Sequence, residues 1–277
     1  MEYPEPWPLC YETNNYAPAL SEYFEHPDIL YPALPEQLAA ARDAGYALVG
    51  LDMGNVQRHL QAGHGLDALR EELERSNLHC LELANLTFSD DRETTLREAG
   101  SYLETARALD ATFIQCSVFG DLNNAAVTAR AVERKLAGSG IGLAIEFLPF
   151  SPLDSIETTR RFIRDAGLRD TKIVLDTWHL FFGPAPAQLE SLPVREIAYV
   201  QFNDHALWQT ADPLFETVNH RLLPGQGHFD LDWFCSILKK NGYRGPVGTE
   251  VLSSKLRTWT PRRFAEAEYQ ATRVFWR

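Results

Sequence analysis

Basic residues are in short supply in this 277-residue chain: 26 Lys and Arg stand against 38 Asp and Glu, a formal net charge of −12. A nucleic-acid binder needs clustered Lys and Arg to replace phosphate counterions, so the balance argues against one. Long charge-free apolar runs are missing too, which excludes a membrane-spanning helix. The N-terminal stretch MEYPEPWPLCYETNN lacks the basic and apolar segments of a signal peptide, so a cytoplasmic protein is expected. Cysteine is scarce. Cys10, Cys80, Cys116 and Cys235 lie far apart with no C-x-x-C pair, as buried thiols of a reducing compartment would, and not as disulfides or a zinc knot. No linker or low-complexity tract divides the chain. What is present, 45% apolar and 23% charged residues, excludes wholesale disorder. The length suits one large domain over 1–277.

A short apolar run followed by a longer amphipathic stretch repeats to the end. Strands are expected at 8–13, 47–53, 78–84, 113–118, 142–148, 172–178, 197–203 and 246–252. Helices are expected near 35–44, 64–76, 92–108, 123–138, 154–166, 186–191, 230–241 and 261–275; Leu96, Ala99, Leu103 and Ala106 show the helical spacing. Alternating strands and helices, with strands apolar enough for burial on both faces, favour a closed parallel (β/α)8 TIM barrel as a single α/β domain. An open doubly wound sheet would carry a Gly-rich fingerprint after its first strand, and none is there. The segment 203–229 is too long for an ordinary connection and is a candidate active-site cover; 14–33, with its aromatics and prolines, is a candidate lid.

Barrel chemistry collects at the C-terminal ends of strands. The last four expected strands end in Glu146, Asp176, Gln201 and Glu250, each directly after apolar or small residues. Any one alone is a common cap or surface residue. Together, three carboxylates and an amide oxygen form an oxygen-rich set suited to one divalent metal, Mn²⁺ first, with Mg²⁺ or Co²⁺ as alternatives. Without a cation the carboxylates would repel one another and hold protons. His179, in Asp-Thr-Trp-His, is a candidate to bind a substrate oxygen, with metal ligation or orientation of a carboxylate as alternatives. Arg221 is either a solvated loop charge or a donor of two hydrogen bonds to a substrate oxygen or enolate. Pro224, Gly225 and Gly227 are turn formers. Asp204 is expected to anchor the loop, not a metal. Glu82 and Asp52, as strand-end residues, are weaker pocket candidates, and Phe119, Trp178, Phe202 and Trp208 are either an apolar wall for a carbohydrate or ordinary packing.

These residues, Glu146 in IEF, Asp176 and His179 in LDTWH, Gln201 and Asp204 in VQFND, Arg221 before PGQG and Glu250 in GTEV, make the chain resemble the xylose-isomerase-like barrel superfamily over nearly its whole length. That superfamily includes sugar phosphate isomerases and epimerases and is related to endonuclease IV. In its ketose 3-epimerases, residues matching Glu146, Asp176 and Glu250 bind a divalent metal together with a histidine, and those matching Glu146 and Glu250 also act as acid and base. This chain has Gln201 where the epimerases have His, and in that it is similar to 3-dehydroshikimate dehydratases. Endonuclease IV is disfavoured, because its three-zinc cluster needs histidines on the middle strands and the fourth strand here ends in Cys116-Ser117-Val118-Phe119. The resemblance therefore implies an isomerase or epimerase of a sugar or polyol-derived ketone, working through a metal-stabilised enediolate. A metal-dependent lyase of the dehydroshikimate or inosose type is the alternative, and a catalytically silent sugar- or partner-binding barrel a third. A small carbohydrate-like substrate is expected, with no nucleic acid or membrane partner, and a homo-oligomer is common in such families. Net charge disfavours a polyanionic substrate, while Arg221 and Arg257 are the residues that would build a local basic pocket.

Overall fold

The computed structural model describes residues 5–17 and 28–277. Eight parallel strands close into a barrel: β1 (Leu9–Glu12), β2 (Leu48–Asp52), β3 (His79–Phe88), β4 (Phe113–Val118), β5 (Gly142–Glu146), β6 (Thr171–Asp176), β7 (Ile197–Gln201) and, at the chain's end, Val247–Thr249, which pairs with both β7 and β1. The fold is a single-domain (β/α)8 barrel, as the alternation of apolar runs and amphipathic stretches predicts.

The outer layer is α1 (Leu34–Ala44), α2 (Met53–Gln61), α3 (Leu66–Ser76), α4 (Arg92–Ala108), α5 (Leu122–Leu136), α6 (Ile156–Asp165), α7 (Thr177–Phe182), α8 (Pro213–Asn219), α9 (Leu231–Lys240) and α10 (Pro261–Phe275). Local chemistry fixes their ends. Pro35 opens α1 and Gly45 closes it in the left-handed conformation; Ser155 and Thr158 form a capping box on α6. Three helices were not expected. α2 and α7 follow their strands without a loop, because Asp52 and Asp176 end a strand and cap a helix at once. The stretch 186–191, expected as an α-helix, is a 3-10 turn.

Of three clusters of apolar side chains, two hold the barrel strands and their helices together. The larger lies between barrel and helices. The smaller joins Cys10, Leu48, Leu81, Ala144, Val174 and Tyr199, with Phe113 against it, and residues from seven strands can meet only inside the barrel. Above this plug the lumen turns acidic. Glu12 and Glu82 are fully buried, and both reach over Gly50, whose missing Cβ leaves the space for them; Gly248 leaves space for Glu12 on the other side. Among the described residues, apart from the weak Cys10 thiol, neither carboxyl has a hydrogen-bond donor. Burial raises the pKa of both, and the neighbouring Glu12 charge raises that of Glu82 further. Glu82 is therefore corrected as a strand-end residue: β3 runs on to Phe88, leaving Glu82 deep in the barrel. All four cysteines are buried and free. Among the described residues no helix is long and apolar enough to cross a membrane.

Candidate active site

Segment 203–229, expected as a loop, is partly ordered by pairing. Here β8 (Asp204–His205) runs antiparallel to β9 (Arg221–Leu222), with α8 between them. Asp204 is the anchor of this region: Oδ1 accepts from the backbone N–H of His205 (2.8 Å) and Phe229 (3.1 Å), and Oδ2 from Gly225 (3.0 Å) and Gly227 (2.8 Å). A side chain at Gly227 would run into Asp204 and the His205 backbone, which is why glycine stands there. Asp204→Ala strands four inward-facing donors and should cost about 3 kcal/mol, read as a lower urea midpoint with unchanged m-value. Glu216 of α8 holds the same region, facing His205 Nε2 at 3.1 Å and His220 Nδ1 at 3.0 Å while accepting from the N–H of Gln209 and Thr210.

Arg221 thereby enters the mouth of the barrel from β9. It is 1% exposed, and four of its five N–H groups meet oxygen acceptors. Nη1 donates to Asp176 Oδ2 (2.7 Å) and Glu250 Oε2 (2.9 Å), Nε to the Thr217 carbonyl (3.0 Å), and Nη2 to Thr217 Oγ1 (2.8 Å), with His179 Nε2 at 3.4 Å. Burial opposes the guanidinium charge, but Asp176, Glu250 and Glu146 outweigh it and raise the Arg221 pKa.

Glu146, Asp176, Gln201 and Glu250 do converge here, and a chain of amides links them. Gln115 Nε2 donates to Glu146 Oε2 (3.0 Å) and lies 3.5 Å from Gln201 Oε1; Gln201 Nε2 donates to Glu250 Oε1 (3.1 Å), which also accepts from Asn14 Nδ2 (2.8 Å). Asp176 has two duties: Oδ1 caps α7 at the N–H of His179, and Oδ2 takes Asn203 Nδ2 as well as Arg221. His179 Nε2 lies 3.4 Å from Glu146 Oε1. Burial, then the charges of Glu146 and Asp176, raise the pKa of Glu250 against the opposing pull of Arg221.

The donor set fits a divalent cation. Glu146, Asp176 and His179 each offer an atom within 4.8 Å of the other two, the span expected of ligands about 2.0–2.6 Å from one ion. Among the described residues, the three buried carboxyl groups of Glu146, Asp176 and Glu250 crowd around one bonded guanidinium, a crowding that a divalent cation would relieve. The geometry brings His179 into the group by its own ring nitrogen, whereas Glu250 joins it through Arg221.

Above these residues lies a cavity of about 570 Å³, lined by Glu146, His179, Arg221 and Glu250 together with polar side chains of β3 and β4, and bordered by Leu214, Thr217 and Val218 of α8. A larger hollow of about 810 Å³ at the opposite end of the barrel touches none of them. Asp52 lines the upper cavity, and burial lifts its pKa to about 6. Of the four aromatic residues considered for a wall, only Phe119 borders it; Phe150 stacks on Phe119 at 6.4 Å and meets His179 edge-on at 6.2 Å. Trp178 and Phe202 are buried packing, and Trp208 lies half-exposed on Trp178. Asn14 and Ala17 line the cavity, but half of the 14–33 lid, residues 18–27, lies outside the described residues. Gln115, Asn203 and Asn85 were missed from sequence. Parity was the available signal, since Gln115 and Ser117 alternate through β4 and Asn203 follows Gln201 by two.

The profile of the xylose isomerase-like TIM barrel family matches residues 38–273. The chain belongs to that family. Among curated proteins it is similar to a 3-dehydroshikimate dehydratase of Pseudomonas aeruginosa, 26% identical over 81% of this chain, and to an inosose isomerase of Halalkalibacterium halodurans, 24% identical over 68%. It spans only 37% of the dehydratase but 72% of the isomerase. Among solved structures, the IolI protein with a bound zinc atom superposes with a TM-score of 0.82 over 96% of this chain and 97% of its own, at 19% identity, a likeness of fold.

Proposed function

We propose that the protein is a divalent-metal-dependent isomerase or epimerase of a sugar or polyol-derived ketone. The observation that carries this is the placing of two carboxyl groups, Glu146 from β5 and Glu250 from the last strand, in one cavity with His179 and Arg221. Glu146, Asp176, Gln201 and Glu250 would hold the ion, Mn²⁺ first and Mg²⁺ or Co²⁺ next, with His179 within reach of the same point. When bound, it would supply Lewis acidity to a substrate carbonyl and make the neighbouring C–H more acidic.

The protein's own residues do the rest. Glu146 or Glu250 takes the proton from the carbon beside the carbonyl, and the carboxyl across the cavity returns one. Gln115 and Asn14 hold the two carboxyl groups in register from outside. His179 binds a substrate oxygen. Arg221 fixes Asp176 and Glu250 and steadies developing negative charge; its longest contact, to His179, is the one a substrate oxygen would replace. A homo-oligomer is part of the proposal, as is cytoplasmic residence. A lyase is the second reading, favoured by Gln201 and by the resemblance to the dehydratase.

Turnover of candidate ketones in D₂O tests it. Deuterium is expected at the carbon beside the carbonyl, lost on chelation and restored by Mn²⁺. A product free of deuterium from every substrate turned over would count against it; appearance of a conjugated enone would select the lyase.

A further inference from the structure

Resting on that reading of the site, we infer that the substrate is an uncharged polyhydroxylated ketone, and that the cavity selects against the carboxylate or phosphate ester of the same skeleton. The cation inventory decides this. Among the described residues lining the cavity, Arg221 is the one Lys or Arg, and residues 1–4 and 18–27 contain neither. Arg221 spends both Nη1 hydrogens on Asp176 and Glu250, and Nε and one Nη2 hydrogen on Thr217, so a single N–H beside His179 remains and no two-pronged grip on an anion is left. Arg257, the other arginine expected to build a basic pocket, is fully buried outside the cavity lining, donating to the carbonyls of Asn15 and Val218.

Acids dominate instead. Asp52, Glu98, Glu146 and Glu250 line the cavity and Asp176 stands beside Glu250 across Arg221. Even with a divalent cation bound, negative groups outnumber positive ones, and an anionic substrate would enter against that field. The remaining recognition surface is neutral. Asn85 Nδ2 donates to Ser117 Oγ at 3.0 Å, and Thr87 and Gln115 lie on the same two strands, a strip of uncharged donors and acceptors matched to hydroxyl groups. The Phe119–Phe150 pair gives a face for the C–H side of a sugar or cyclitol.

Calorimetric titration of the metal-loaded protein with myo-inositol, shikimate and inositol 1-phosphate tests the inference. Myo-inositol is expected to bind at least tenfold more tightly than either anion at low salt, with the gap narrowing as salt screens the acids. Equal or tighter binding of an anion would overturn it, as would failure of the neutral polyol to bind. These titrations need no turnover, so their outcome is separate from that of the D₂O experiment. Dehydration of 3-dehydroshikimate with deuterium exchange would keep the enolate chemistry and remove the neutral-substrate inference; the expected binding order without exchange on any ketone would do the reverse.

Discussion

Glu146→Gln and Glu250→Gln are each expected to lower kcat by about 10²–10⁴-fold, the share that general acid–base catalysis supplies. Glutamine keeps the shape and the hydrogen-bond acceptor of either side chain, so Gln115 can still donate to position 146 and Asn14 to position 250. Relief of carboxylate crowding offsets part of the lost Arg221 contact at 250. Folding should therefore survive, which a thermal melt checks. Metal content measured on the same samples separates the two duties proposed for each residue. A variant that retains the ion but not turnover has lost its proton carrier, whereas one that loses both has lost a ligand. Activity within twofold of the parent would remove that residue from the reaction.

Arg221→Met should have the largest effect on stability. Among the described residues it removes the one side-chain cation paired with the buried Asp176 and Glu250 carboxyl groups, at a cost of about 3–5 kcal/mol. The loss should be read in urea at fixed pH, and it carries a signature that a merely structural arginine would not give. Added Mn²⁺ should recover more stability in the variant than in the parent, because the ion then supplies charge the guanidinium no longer does. Identical recovery in both proteins would mean that the ion and Arg221 do not share carboxylates. Arg221→Lys restores a charge but not the fork to Thr217, so an intermediate loss is expected.

Much of this was legible in the sequence because the barrel repeats one physical rule. Apolar runs between amphipathic stretches gave all eight strands, and polar residues at their ends gave Glu146, Asp176, Gln201 and Glu250, which the structure brings together. Loop lengths misled where one residue serves two elements. Asp52 and Asp176 end a strand and cap a helix, so α2 and α7 leave no turn signal between. β3 runs past the expected 78–84 because Asn85 and Thr87, which interrupt its apolar run, belong to the strand and border the cavity. The engagement of Arg221 could not be read at all. It depends on β9 pairing with β8 under the hold of Asp204, contacts that span 16 residues or more and leave no periodic trace.

The acidic middle of the lumen constrains how this barrel can change. Glu12 and Glu82 occupy the volume that side chains at positions 50 and 248 would fill, so a methyl group at either glycine evicts a carboxyl. The four positions come from four strands and are tied by volume, with no bond between the glycines and the acids required. Their substitutions should travel together through descent, and anyone grafting a new floor beneath the cavity would have to exchange the quartet as a set.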